Sequence, residues 1–280
     1  MCERFPPQPL VQQTACMRGL HPLELDLEQI TRHTEGLADL VASNPLTTPV
    51  PTCGEWTLAD LAYHLFEVQH FWVHIIEGRP AGPETYERPS LPADGLDAAL
   101  RATCERLVGA LSDADLDEPA WSWSDDHTVG FTVRRQIHEA LVHHIDGVLA
   151  VAAALPPVPG ALAADGIDEL VDVMLTGIPD WAIFLPAIQV VRLRTTDTDD
   201  RWTMSLGHVS GTSSQTGVTY DGLPAAERLG DDMAPDLVIE GSSLDLLLWL
   251  WGRTSIDALS LEGDATIAEA LRETVASATQ

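Results

Sequence analysis

The feature that most constrains the fold of this 280-residue chain is a change of hydrophobic period at LPPVPG, residues 155–160. Before it, apolar residues recur at helical spacing; after it, several short runs alternate at strand spacing. Its prolines and glycine make this stretch the clearest linker in the sequence. Upstream, LDLEQITRHTEGLADLV places Leu25, Ile30, Leu37 and Leu40 near one helical face. A second helix opens at Thr57, where Asp60 completes a capping-box variant and Trp56 and Leu61 supply a hydrophobic staple; it runs to Gly78, ahead of Pro80. LDAALRATCERLVGALS reads as a third helix, and TVGFTVRRQIHEALVHHIDGVLAVAAAL contains a fourth. Four helices joined by loops within about 130 residues predict a bundle.

Downstream, a helix near Ala163–Leu175 precedes IQVVRLRTT and RWTMSLGHV, which alternate as strands do. TGVTYDG, DLVIEG and LSLEGD read as further short strands, and LDLLLWLWGR and TIAEALRETVASA as helices. Strands mixed with helices predict an α+β domain. The expected organisation is a disordered leader over residues 1–22, in which Met17 could be the physiological start, then a four-helix bundle over 23–154, a linker over 155–160 and an α+β domain over 161–280.

Charge and inventory then remove whole classes of function. Forty-three acidic residues against fifteen basic ones give a formal net charge of −28, which repels nucleic-acid phosphates and anionic lipid, so neither nucleic acid nor membrane is an expected partner. All fifteen basic residues are arginine. Without lysine there is no Schiff-base chemistry and no P-loop. The cysteines at 2, 16, 53 and 104 form no CxxC pair, which argues against a disulfide framework or a cysteine-rich zinc site. Glu3 and Arg4 are followed by prolines and glutamines with no apolar run, so no signal peptide is expected. No stretch offers the ~18 uninterrupted apolar residues of a membrane span, and a cytoplasmic location is the expectation.

Six of the ten histidines fall on the second and fourth helices. Glu139 and His143 are four apart and stack on one face, close enough to share an ion. Asp146, seven beyond Glu139, returns to that face and could orient a ligand. His138 lies about 140° around the helix from His143 and cannot face the same point. This is not the HExxH pattern of zinc peptidases, because residue 142 is valine. His64 shares an apolar face with Val68, Phe71 and Ile75, where a polar ring needs a partner, while His70 and His74 point to a flank. Facing helices of a bundle can assemble two imidazoles and one carboxylate into a site with an open position. Spacing alone also suits a solvated Glu139/His143 face and a core His64 bonded to a carbonyl.

The stretch Val50-Pro51-Thr52-Cys53-Gly54-Glu55-Trp56-Thr57-Leu58-Ala59-Asp60-Leu61, followed by His64, resembles the N-terminal signature of the mycothiol-dependent maleylpyruvate isomerase family. So does Val129-Gly130-Phe131-Thr132-Val133-Arg134-Arg135-Gln136-Ile137-His138-Glu139, running on to His143 and Asp146. Asp236–Gly241, the run Leu246–Arg253 and Glu262-Gly263-Asp264 are similar to that family's C-terminal domain. The resemblance implies a DinB-like metal-binding four-helix bundle followed by a sterol-carrier-like α+β domain. It implies a divalent metal, typically zinc (Zn2+), on His64, Glu139 and His143, and mycothiol as a thiol cosubstrate. It also implies an arginine of the C-terminal domain that assists the reaction; Arg253 is the candidate, with capping of the helix that ends at Gly252 as the alternative. Arg134 and Arg135 are candidate anion contacts or members of helix salt bridges.

The function this implies is a metal- and thiol-dependent isomerase or S-transferase acting on a small electrophile. The alternatives are a metal-binding or sensor protein whose C-terminal domain holds an apolar ligand, and a bundle that has lost its ion. Because imidazoles must be neutral to ligate, histidine ligation predicts that metal affinity falls below about pH 6.

Overall fold

Side-chain caps set where three of the bundle helices, the first, second and fourth, begin. The computed structural model describes residues 26–90, 95–213 and 217–279, and the leader expected over 1–22 lies outside these. Asp26 accepts the Glu28 N–H at 2.9 Å and starts α1 (Leu27–Ser43). Thr57 and Asp60 make a reciprocal capping box at the head of α2 (Leu58–Gly78). This helix stops where Arg79 turns left-handed, at φ 45°, just before Pro80. After α3 (Leu96–Ser112), Thr128 accepts the Phe131 N–H at 3.1 Å and starts α4 (Val129–Ala150).

The four helices bury a common apolar core that includes Leu37 and Val41 of α1, Leu58, Leu61 and Leu65 of α2, and Leu100 of α3. Each such side chain contributes on the order of 1.5–3 kcal/mol of burial. The inward face of α1 is more polar than its periodicity suggests, because His33 and Thr34 are fully buried. The Thr34 hydroxyl accepts from Gln69 at 2.7 Å. His33 and His144 meet through their Nδ1 atoms at 3.1 Å. Burial, then the neighbouring His144 and Arg32, push His33 down to about 4, and burial also lowers His144. Both rings are therefore neutral at neutral pH, and one donates to the other. The His144 ring lies directly over Gly36, where a Cβ atom would sit 2.3 Å from it.

The chain divides into two compact units, one holding the bundle helices up to Pro157 and the other holding the chain from Val158 on together with Trp123–Asp125. The second unit opens with α5 (Gly160–Glu169), which continues into a π-helical turn over Leu170–Leu175. Among the described residues five strands follow: β1 (Ala182–Thr195), β2 (Arg201–Thr212), β3 (Thr219–Leu229), β4 (Leu237–Gly241) and β5 (Ser260–Gly263). They form one mixed sheet in the order β3-β2-β1-β4-β5, antiparallel except for the parallel β1–β4 pair. The strands β1 and β3 are longer than their sequence patterns indicate. β1 starts at Ala182 and carries a register shift between Pro186 and Gln189, and β3 extends through Leu223–Leu229 because that segment pairs along β2. Ladder pairing overrides the weak strand propensity of Pro224, Ala225 and Ala226.

The remaining helices, α6 (Ser243–Leu250) and α7 (Thr266–Ala278), are tied end to side. Arg272 of α7 donates to the Trp249 carbonyl at 2.8 Å and to that of Leu250, so it closes the C-terminus of α6. Gly252, at φ +76°, follows that end, and a Cβ there would collide with the Arg272 guanidinium. Among the described residues, no helix is long and apolar enough to cross a membrane.

Candidate metal centre

Two capped helices carry the candidate ligands. His64 lies in the second turn of α2, and Glu139 and His143 lie one turn apart near the middle of α4. The Nε2 atoms of His64 and of His143 each stand 3.2 Å from Glu139 Oε1. One donor atom from each residue falls within 4.8 Å of the others, and among the described residues this is the one group of three or more such side chains. The His64 and His143 rings meet edge to face at 4.8 Å, and the Trp56 indole leans on His64 at 5.0 Å. Side-chain exposure is 32% for His64 against 18% for Glu139 and 13% for His143, so the cluster is reached from the His64 side.

Around these residues lies a set of groups that fix their orientation. The Asp146 carboxylate, wholly buried, accepts from His143 Nδ1 at 3.0 Å and from the Thr52 hydroxyl at 2.5 Å. A carboxylate on the far nitrogen of an imidazole selects the tautomer and the ring angle that present Nε2 to an ion. Arg135, one turn before Glu139, reaches its Oε2 at 3.0 Å. Burial opposes ionisation of Glu139, but His143, His64 and Arg135 together outweigh it and hold the carboxyl well below the usual range. Burial likewise opposes a charge on His143, yet the Glu139 charge and the Asp146 hydrogen bond raise it to about 9. Two imidazole nitrogens and one carboxylate oxygen, preoriented and partly open, suit a divalent ion.

The raised His143 value sets the pH window to be expected if this candidate site takes up an ion. An unperturbed imidazole would place the loss of affinity near pH 6, but with His143 raised to about 9 an ion would have to displace its proton at neutral pH as well. Affinity should climb roughly tenfold per pH unit toward that value, with close to one proton released per ion. Calorimetry near pH 7.5 in buffers of different ionisation enthalpy measures the release. An affinity that stays flat between about pH 6 and 8 would contradict the assignment.

The other histidines singled out in the sequence lie outside this cluster. Arg253 is in the second unit, where Nη1 donates to the Trp251 carbonyl and the guanidinium lies 5.6 Å from the Trp251 ring. His138 is buried outside the cluster. His70 and His74 turn toward Tyr86 and Thr85 at 3.4 and 3.1 Å, and with Glu77 and Arg106 they line an open cleft of about 360 Å³. The role of Thr52 had no sequence signal, since it reaches Asp146 across 94 residues. Arg135 did have one: it stands four residues before Glu139 on the same helix.

A domain model of the mycothiol maleylpyruvate isomerase N-terminal domain matches residues 27–146, and one of the MDMPI C-terminal domain matches residues 161–270. Among solved structures, the fold is similar to a crystal structure of the mycothiol-dependent maleylpyruvate isomerase. The TM-score is 0.54 at 14% identity, over 87% of this chain and 95% of that one. A histidine-to-alanine mutant of the mycothiol-dependent maleylpyruvate isomerase aligns over the same shares, with a TM-score of 0.54 at 13% identity. No curated protein matches.

Proposed function

The chain belongs to the mycothiol maleylpyruvate isomerase family, and from that premise we propose that it is a metal-dependent enzyme using mycothiol to isomerise or thiolate a small electrophile. His64, Glu139 and His143 hold the ion, and zinc suits two imidazoles and a carboxylate. When bound, a Lewis-acidic ion lowers the pKa of a coordinated thiol, so that a thiolate exists at neutral pH. The chain's own groups prepare this. Asp146 and Thr52 hold the His143 ring, Arg135 holds Glu139, and Trp56 walls one side of His64. In an isomerisation the thiol adds to an activated double bond, the resulting single bond rotates, and the thiol leaves, so the substrate gains and loses no atom. The absence of lysine accords with an external thiol, not an amine, as nucleophile. Arg253 is the proposed assisting residue of the second unit. A reducing, cytoplasmic compartment suits both the thiol cosubstrate and the Cys53 and Cys104 side chains, which form no disulfide.

The observation that carries this reading is the meeting of three donor atoms within 4.8 Å, with Asp146 on the far nitrogen of His143. The test is elemental analysis of protein purified without chelators, followed by assays with maleylpyruvate and mycothiol. About one zinc per chain, with turnover lost on chelation and restored by zinc, is the expected result. Undiminished turnover in the chelated protein would overturn the reading. Stoichiometric metal without any thiol-dependent turnover would favour the metal-binding or sensor alternative.

A further inference from the structure

A carboxylate can offer an ion one oxygen or two, and the surroundings of Glu139 decide between them. Its Oε1 is the atom 3.2 Å from both imidazole Nε2 atoms. Its Oε2 faces the other way and is engaged by Arg135 at 3.0 Å. The Arg135 side chain is only 6% exposed, so water competes poorly for either partner. A guanidinium does not lose its charge at any relevant pH. The pairing is built into α4, since residues four apart stack on one face and the helix is anchored by the Thr128 cap.

We propose that Arg135 is a positioning residue that restricts Glu139 to a single oxygen and so reserves a place on the ion for an exogenous thiol, an inference that rests on the metal and thiol reading above. Two effects act together. With Oε2 engaged, chelation by Glu139 would have to compete with the Arg135 hydrogen bond, which favours ligation through Oε1 alone. The arginine charge also offsets that of Glu139, leaving more of the ion's positive charge to attract an anionic sulphur. Both effects strengthen thiol binding, and both weaken the hold on the metal itself. A residue that merely supported the fold would show no such opposition of signs.

The test uses the full chain loaded with cobalt(II) and titrated with mercaptoethanol. Cobalt affinity is read by competition with a chelator, and thiol affinity from the sulphur-to-cobalt absorption band. Arg135→Met should bind cobalt about tenfold more tightly and mercaptoethanol about tenfold more weakly than the parent, the scale on which groups around a metal ligand act. Arg135→Lys, which keeps the charge and a donor one turn from Glu139, should return both affinities to within about twofold of the parent. Arg135→Gln, gentler on folding, should share the signs of the methionine variant. Loss of both affinities in folded Met and Gln variants, or parental values for both, would overturn the inference while leaving the metal reading in place. Failure of the parent protein to take up cobalt would sink both.

Discussion

Glu139→Gln is expected to purify without stoichiometric metal and without thiol-dependent turnover, yet folded. Glutamine keeps the shape of the side chain and loses its charge, and Glu139 Oε1 is the atom shared by both imidazoles. Groups that only orient a ligand are worth ~10–100-fold in metal affinity, so loss of the ligand itself should exceed that range. His64→Ala should give the same outcome from the other helix, because one of three donors disappears. Elemental analysis beside circular dichroism separates metal loss from unfolding. Wild-type metal content in either folded variant would remove that residue from the ligand set.

Gly36→Ala should destabilise the helical unit by roughly 1–3 kcal/mol, although neither partner lies in the metal cluster. The new methyl would lie 2.3 Å from the His144 imidazole, and that ring is held in place by its Nδ1 contact with His33. In an unobstructed helix, glycine to alanine gains about 1 kcal/mol, so a net loss reports the collision and not propensity. Denaturant midpoints of the single variant and of Gly36→Ala combined with His144→Ala measure it. The double variant should lose less than the sum of the two single changes, because the clash vanishes with the ring. Strict additivity would show that Gly36 has another reason to be small.

Much of this molecule is legible in the order of its residues, for identifiable physical reasons. The start of α2 is local chemistry: Thr57 and Asp60 satisfy each other within one turn, and no distant contact is needed to see it. The change of fold class follows the change of hydrophobic period, and the helices and mixed sheet appear in the expected order. Glu139, His143 and Asp146 share a face because the helix repeat puts them there, and the family resemblance brought His64 to them. What was hidden is long-range. No pattern links Thr52 to Asp146, or His33 to His144 across 111 residues, because these contacts exist only once the helices have packed. The second half of β3 was hidden for the same reason, its conformation coming from its neighbour β2 and not from its own residues.

The closure of α6 by Arg272 also has a consequence during synthesis. The carbonyl of Trp249 receives its partner from a residue made 23 positions later. At translation rates of about 5–20 residues per second, α6 therefore waits on the order of 1–5 seconds with that end open. A helix of eight residues does not hold itself together in water over such an interval. Its apolar run from Leu246 to Leu250 packs mainly against α5, which is made earlier, so what stays open over that interval is the helix end and not the apolar face. The interval ends when Arg272 arrives and α7 can form beside it.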